Sequence, residues 1–247
     1  MTDVLGWRGV FGVLVPSTNT VVEPDFYRMA VPGITAHTGR IHIRDQNLSS
    51  NDNFEALLEQ VRQEIDHACA RVLTAEPDYL VMGMSAETFW GGVEGNRRFT
   101  ESVESFSGLR VATGAEACRR ALDIFGAHKV GVVTPYQPVG DDNVVRFFGE
   151  LGHPVARIKG LRCPTAVAIA RVPEETLRAA ILEVDGDDVD AIVQVGTNLS
   201  MVALADEMEQ TLGKPVIAIN AATWWMALRD NGVTDRLEGH GSLLRDH

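Results

Sequence analysis

The feature that most constrains this chain is a pattern of short apolar runs alternating with amphipathic stretches, which occurs twice. The run Gly-Val-Leu-Val-Pro at residues 12–16 is matched by Gly-Val-Val-Thr-Pro at residues 131–135. The stretch from Asp78 to Gly83 is likewise matched by the stretch from Asp190 to Gly196. Self-similarity of this kind indicates an internal duplication, in which each half repeats the same order of strands and helices.

Eight runs have the composition of strands. They are Val10–Val15, Ile34–Ile43, Tyr79–Met82, Leu109–Ala112, Lys129–Val133, Val155–Lys159, Ala191–Val195 and Val216–Ile219. Most are continuously apolar, as is typical of parallel strands covered by helices on both faces. Apolar residues recur at helical spacing between Phe54 and Val72, after a capping-type Ser50-Asn51 start.

This pattern predicts an α/β protein with two pseudo-symmetric, four-stranded parallel-sheet (Rossmann-like) domains and a site in the cleft between them. The first domain is expected to comprise residues 1–113 plus 222–247, so that the last helix packs back on it. The second is expected to comprise residues 114–221. The alternative is one continuous doubly wound domain. The tail after Arg236 has no strong pattern and is expected to be frayed.

Composition and charge exclude several classes of function. The 247 residues are 45% apolar, and 22 basic against 34 acidic side chains give a net charge of −12, which argues against nucleic acid or an anionic membrane as partner. Three scattered cysteines form neither a disulfide framework nor a CxxC pair, and no secretory signal or membrane span is evident, so a cytoplasmic protein is expected.

Nothing in the sequence indicates a metal ion or a cofactor. The seven histidines have no ligand spacing, so we expect no metal. The chain has no G-x-G-x-x-G, P-loop, G-x-S-x-G or H-E-x-x-H motif. Dinucleotide, nucleoside triphosphate, serine-hydrolase and zincin chemistries therefore lack their usual sequence support.

Two loops in the first half follow the carboxyl ends of strands, where open α/β sheets bind ligands. In the loop Pro16-Ser17-Thr18-Asn19-Thr20, hydroxyls, an amide and backbone N–H groups could hold a carboxylate; a simple helix-capping turn is the alternative. In the loop from Gly83 to Thr88, Ser85 offers a hydroxyl and Glu87 is the candidate general acid or base. A first-turn glutamate that only suits the helix dipole is equally compatible.

The second half repeats both loops. Tyr136, in Thr-Pro-Tyr at residues 134–136, could donate to an oxyanion, although a ring packed at the base of a loop is common. Gly196, Thr197 and Asn198 place small and hydrogen-bonding groups where a helix begins.

In the order of these four motifs the chain resembles the aspartate/glutamate racemase superfamily, and within it the maleate cis-trans isomerase and arylmalonate decarboxylase branch. The resemblance spans nearly the whole chain. It implies two domains that close over a small mono- or dicarboxylate without a cofactor, and a homodimer or homotetramer. It also implies catalytic thiols, one from each half in isomerases and only the second in decarboxylases.

The sequence departs from that pattern at both thiol positions, which align with Gly83 and Gly196. Without the thiols, the resemblance still implies a set of substrate-binding residues. They are Pro16, Ser17, Asn19, Thr20, Ser85, Tyr136, Thr197 and Asn198. Cys163 and Thr165 lie in a loop that contributes a polar side chain in relatives, so either is a candidate for reaching the ligand. The two glycines are expected to leave room for a bulkier substrate or a water.

These observations predict a decarboxylase-type lyase that stabilises an enediolate, with Ser85, Glu87 and Tyr136 as catalytic residues. One alternative is a hydrolase, hydratase or cis-trans isomerase that uses Glu87 or a water. The other is a carboxylate-binding protein without catalytic activity.

Overall fold

The first half of the chain forms a four-stranded parallel sheet with the strand order β2-β1-β3-β4. A computed structural model describes residues 3–247. The strands of this sheet are β1 (Gly9–Pro16), β2 (Ile34–Ile41), β3 (Tyr79–Met82) and β4 (Val111–Ala112). Strand β1 is central and buried along nearly its whole length, because Phe11, Val13 and Val15 have helices on their side of the sheet and Leu14 faces the other layer.

The second half repeats this arrangement with the strand order β6-β5-β7-β8, again entirely parallel. Its strands are β5 (Val130–Thr134), β6 (Val155–Gly160), β7 (Ala191–Gln194) and β8 (Val216–Ala218). The predicted fold class is therefore confirmed, and all eight predicted strands are present. Several bounds differ by one or two residues, and Ile219 begins a helix instead of ending β8.

Eleven helices lie in the described part of the chain. They are α1 (Val22–Arg28), α2 (Asn51–Leu73), α3 (Ala86–Phe89), α4 (Gly92–Ser107), α5 (Gly114–Phe125), α6 (Pro138–Glu150), α7 (Ala166–Ile169), α8 (Glu174–Val184), α9 (Val202–Leu212), α10 (Ile219–Asp230) and α11 (Ser242–Asp246). The start of α2 is set by Ser50, whose side chain accepts a hydrogen bond from the Asn53 N–H, as the sequence predicted.

Helix α10 packs against elements of the first sheet. The Trp224 ring stacks on Phe26 at a centroid distance of 4.8 Å and meets Phe11 edge-on at 5.7 Å. Its indole N–H donates to the Met29 carbonyl over 2.8 Å. The division into residues 1–113 plus 222–247 and residues 114–221 remains a prediction.

The C-terminal tail is ordered, so the expectation that it frays was wrong. Helix α11 buries Leu243 and Leu244, and the Leu237 N–H donates to the Leu244 carbonyl over 3.0 Å. Two adjacent leucines were too short a pattern to indicate this docking. Within residues 3–247, no helix is long and apolar enough to cross a membrane. No group of three or more His, Cys, Asp or Glu in that range is arranged to hold a metal ion.

Candidate active site

A small cavity lies between the carboxyl ends of the two sheets, with a volume of about 70 Å³. Its wall is formed by Pro16, Thr18, Asn19, Ile43, Leu48, Phe54, Leu57, Leu58, Val61, Met84, Ser85, Ala86, Pro135, Tyr136, Ala166, Ile169, Gly196, Thr197 and Asn198. At liquid density this volume corresponds to about two water molecules. The space between the two sheet edges is therefore narrow, although the chain does not enclose it completely.

Three groups from the two halves meet on the polar side of the cavity. The Ser85 Oγ lies 2.6 Å from the Tyr136 hydroxyl and accepts a hydrogen bond from the Thr197 N–H over 3.2 Å. The Thr197 hydroxyl donates to the Gly83 carbonyl over 3.0 Å. The loops after β3, β5 and β7 are thereby held in register across the boundary between the halves.

Two asparagines add further links between the halves. Asn19 Nδ2 donates to Thr197 Oγ1 over 3.2 Å, while Asn19 Oδ1 accepts from the first N–H groups of the following helix. Asn198 Oδ1 accepts from the Thr20 N–H over 3.0 Å, and its Nδ2 donates to the Ala166 carbonyl over 2.9 Å. Both amides are buried, and their side chains connect loops of the two halves.

Among residues 3–247, no charged side chain belongs to the cavity wall. The N–H groups of Met84 and Ser85 make no hydrogen bond to any residue within the range 3–247, although both residues line the cavity. Together with the hydroxyls of Thr18, Ser85 and Tyr136, these free donors can bind an anionic oxygen through neutral dipoles. A net charge of −12 is compatible with such a site, because the binding is local.

Tyr136 is buried, and its ring packs against Phe54 at a centroid distance of 5.3 Å. Burial raises the pKa of Tyr136 well above its ordinary value, and the hydrogen bond from Ser85 only partly offsets this. The phenol is therefore neutral at physiological pH and is available as a donor. The ring packs at the base of the loop and the hydroxyl faces Ser85, whereas donation by Tyr136 to an oxyanion remains a prediction.

An ion pair between the exposed Arg162 and the buried Asp141 contacts the loop that carries Tyr136. The Arg162 guanidinium donates to the Tyr136 carbonyl and, over 2.5 Å, to the Asp141 carboxylate. Asp141 also accepts from the Thr134 hydroxyl, which in turn accepts from the Tyr136 N–H. Arg162 adopts a left-handed backbone conformation with φ of 54°, an uncommon geometry that holds its side chain beneath the loop.

The opposite side of the cavity is apolar and was not predicted as part of the site. Helix α2 supplies Phe54, Leu57, Leu58 and Val61, and Ile43 and Leu48 extend this surface. The sequence predicted the helical spacing of the α2 residues but did not assign them to the site. Thr18, another wall residue, was also missing from the predicted site, although the loop that contains it was identified.

Glu87 lies outside the cavity, so the expectation that it exchanges protons there was wrong. Its carboxylate accepts from Arg62 Nε over 2.7 Å and from Arg62 Nη2 over 3.1 Å. Both residues line a different surface cavity, together with Trp90 and Arg98. Burial nevertheless raises the pKa of Glu87, because desolvation outweighs the stabilisation by Arg62. The short helix α3 turns this side chain toward α2 and away from Ser85.

Four other predicted residues have structural contacts and do not line the cavity. Ser17 exchanges hydrogen bonds with the backbone of Ile43, at 3.2 and 3.1 Å. Thr165 caps α7 by accepting from the Ala168 N–H, and Thr20 contributes only its backbone N–H. Gly83 contacts the site through its carbonyl, whereas Pro16 lies on the cavity wall as expected.

None of the three cysteines reaches the cavity wall. Cys163 is buried behind the Tyr136 loop, where its N–H donates to the Pro135 carbonyl, so its candidacy as a ligand-contacting thiol was wrong. Burial raises the pKa of Cys163 to about 11, which leaves the thiol protonated. Cys69 and Cys118 are buried on helices, in agreement with their interpretation as core residues.

The expectation that Gly83 and Gly196 leave space was also wrong. A Cβ atom on Gly83 would lie 2.7 Å from a Val15 methyl group and 3.0 Å from a Val22 methyl group. A Cβ atom on Gly196 would lie 2.5 Å from the Pro135 ring, and the residue has a φ of 111° that favours glycine. Neighbouring side chains fill both positions, so no vacant room marks the place of a thiol.

A model of the arylmalonate decarboxylase family matches residues 11–244. The chain belongs to this family. Its relatives include the maleate isomerase of Nocardia farcinica (strain IFM 10152), which is 24% identical over 246 residues that cover 95% of this chain and 94% of the relative. The arylmalonate decarboxylase of Bordetella bronchiseptica is 25% identical over 241 residues, covering 94% of this chain and 95% of that protein.

Solved structures of the family share the fold. A mutant of the N. farcinica maleate cis-trans isomerase with a covalently bound succinylcysteine intermediate has a TM-score of 0.87 and 22% identity, covering 96% of this chain and 98% of that one. A liganded arylmalonate decarboxylase mutant has a TM-score of 0.82 and 20% identity, covering 96% and 99%. The two named activities of the relatives are a lyase and an isomerase reaction, so the chain is an enzyme of this branch.

Proposed function

We propose that this arylmalonate decarboxylase family member is a cofactor-independent decarboxylase of small α-substituted malonates. The observation that carries the proposal is the division of one cavity into a polar side and an apolar side. Ser85, Tyr136 and the free backbone N–H groups form the polar side, and α2 forms the apolar side. A malonate has two carboxylates with different fates, which such a cavity would distinguish.

In this mechanism the retained carboxylate binds the polar side and the departing carboxylate faces Leu57 and Val61. An unsolvated carboxylate against an apolar surface is destabilised, whereas the CO2 it becomes is apolar. The bond between the α-carbon and the departing carboxylate breaks, and its electron pair moves into the retained carboxylate to form an enediolate. Hydroxyl and N–H donors on the polar side stabilise the charge that develops there.

The α-carbon then takes a proton to give a monocarboxylate, so that one malonate and one proton yield one acid and CO2. Tyr136 is the proposed donor, because no thiol or carboxylate belongs to the wall formed by the described residues. The phenolate is reprotonated from solvent by way of the Ser85 hydroxyl, which lies 2.6 Å from it. Glu87 has no part in this proposal, since it faces Arg62.

The test is incubation of the purified protein with methylmalonate and phenylmalonate in deuterated water. We expect CO2 release and one deuterium at the α-carbon of the product, with methylmalonate preferred because the cavity is small. Consumption of neither compound, with a raised melting temperature, would instead favour the carboxylate-binding protein. Interconversion of maleate and fumarate without CO2 release would favour the isomerase.

A further inference from the structure

A ring of buried hydrogen bonds lies behind the cavity and joins α1 to the loop after β7. Asn220 Nδ2 donates to Asp25 Oδ2 over 2.8 Å and to the Thr197 carbonyl over 3.0 Å. On its other side, Thr197 accepts at Oγ1 from Asn19, whose own Oδ1 fixes the start of α1. Thr197 is therefore held from two directions by groups that α1 positions.

Asp25 and Asn220 are each 2% exposed, and neither lines the cavity. Asn220 Oδ1 is buried and has no hydrogen-bond partner within residues 3–247. An acceptor in that position is unfavourable unless a donor reaches it. The Asp25 carboxyl group already accepts a hydrogen bond from Nδ2 of Asn220. When Asp25 is protonated, it becomes a donor that lies beside the amide with the unpaired oxygen.

We infer that Asp25 and Asn220 are positioning residues, which hold the Thr197 N–H toward Ser85 while Asp25 is ionised and release it when Asp25 is protonated. The ionised carboxylate orients the Asn220 amide so that its second N–H donates to the Thr197 carbonyl. Protonation gives the amide oxygen a donor and weakens the carboxyl group as an acceptor, so the amide can turn away from Thr197. The Ser85–Tyr136 pair then loses the N–H that fixes it.

The groups around Asp25 set the pH at which this happens. Burial raises the pKa of Asp25 to about 6, and the hydrogen bond from Asn220 and the charge of Arg28 offset part of that rise. Arg28, on the same helix, approaches Asp25 to 3.8 Å, whereas Glu23 is paired with Arg40.

Two other elements contribute to the surroundings of Asp25. From α10 the facing group is the Asn220 amide. From the C-terminal tail His240 lies against Arg28, and burial lowers the pKa of this histidine. Because His240 also titrates in the acidic range, it needs its own control.

The inference rests on the proposed function only in taking this cleft as the reaction site, and it can be tested without any substrate. The experiment is an NMR titration of the ligand-free, full-length protein that follows the Asp25 carboxyl carbon and the Thr197 amide from pH 8 to pH 4.5. We expect both signals to shift with one midpoint near 6. The inference is overturned if the Thr197 amide signal does not shift with pH, or if it shifts with a midpoint different from that of Asp25. This test needs only the wild-type protein.

Variants then assign the titration. Asp25→Asn should abolish the Thr197 transition, and His240→Gln, the control, should keep it. A transition that persists in Asp25→Asn or disappears in His240→Gln would contradict the assignment. If malonate turnover is found, kcat should fall on the acidic side with the same midpoint, and Asp25→Asn should lose that dependence. Absence of turnover would count against the proposed function and leave the NMR result standing.

Discussion

The Tyr136 hydroxyl and the Ser85 Oγ lie 2.6 Å apart across the boundary between the two halves of the chain. Ser85 follows β3 of the first sheet, and Tyr136 follows β5 of the second. Because both groups are buried and neutral, one of them must donate to the other, and the pair keeps a free lone pair or proton for a bound ligand. The pair is thus both a link between the halves and the proposed proton source.

Replacing Tyr136 with Phe should lower kcat for malonate decarboxylation by roughly 10²–10³-fold, because a donor to the enediolate and the proton source are both lost. The free energy of unfolding should fall by about 1 kcal/mol, since Ser85 loses a buried partner. Steady-state CO2 release and denaturant unfolding measure the two effects.

Tyr79→Phe is the matched control for that variant. Tyr79 is also a buried tyrosine, and its hydroxyl donates to Asp230 over 2.7 Å away from the cavity wall. The Tyr79→Phe variant should therefore lose stability but keep the kcat of the wild-type protein. Equal losses of kcat in both variants would mean that Tyr136 acts through stability alone.

Leu57→Asn should lower kcat while KM stays similar or falls. An amide on the apolar side would stabilise the charged departing carboxylate in the ground state. It would stabilise the transition state less, because the departing group is by then close to neutral CO2. Leu57→Ala, which enlarges the cavity without adding a polar group, separates polarity from volume. A kcat that falls equally in the two variants would show that packing, and not desolvation, is what Leu57 provides.

Arg62→Gln should destabilise the protein by about 1–2 kcal/mol at pH 8, which is less than the loss of one partner of a fully buried ion pair costs, because Arg62 is itself partly exposed. Burial already raises the pKa of Glu87, and loss of Arg62 raises it further. The destabilisation is therefore complete above the pKa that Glu87 has in the variant. It fades as the pH falls and Glu87 becomes protonated in both proteins.

Denaturant unfolding at pH 8 and pH 5 checks this dependence. Arg97→Gln removes a guanidinium that pairs with Glu94 and Glu101 on an exposed helix face, and it should change stability little at either pH. A deficit in Arg62→Gln that is independent of pH would show that the arginine stabilises through packing and not through the Glu87 charge.

Gly196→Cys should fail to create thiol chemistry and should lower stability by about 1–3 kcal/mol, because φ at this position is strained for a residue with a Cβ and the Pro135 ring blocks it. Gly232→Cys is the comparison, since Gly232 also has positive φ but open space around it. Thermal melting and iodoacetamide labelling measure the effects. A stable Gly196→Cys protein with iodoacetamide-sensitive isomerase activity would show that the loop adapts easily.

The fold could be predicted from the sequence because its signals are local and repeated. Continuous apolar runs such as Tyr79–Met82 indicate buried parallel strands, and the duplication repeats each of them in the second half. The docking of α11 could not be predicted, because a helix of five residues with two adjacent leucines has no repeated spacing to show that one side is buried.

The site was predicted at the level of loops and less well at the level of side chains. Ser85, Tyr136, Asn19 and Thr197 do converge, since carboxyl ends of parallel strands meet at one edge. The direction of Glu87 depends on the turn of α3 and on Arg62, which is 25 residues earlier in the chain. Helical spacing in α2 shows which residues share a face, but it does not show that this face meets a cavity.

The packing of Trp224 between Phe11 and Phe26 has a consequence for how the protein is made. During translation, β1 and α1 emerge long before α10, so the apolar surface that Trp224 covers stays uncovered while most of the chain is synthesised. Contacts this distant in sequence slow folding and expose partly folded chains to aggregation. Nascent chains released before residue 224 should therefore bind chaperones at the Phe11 and Phe26 surface, and the first half should mature only after α10 leaves the ribosome.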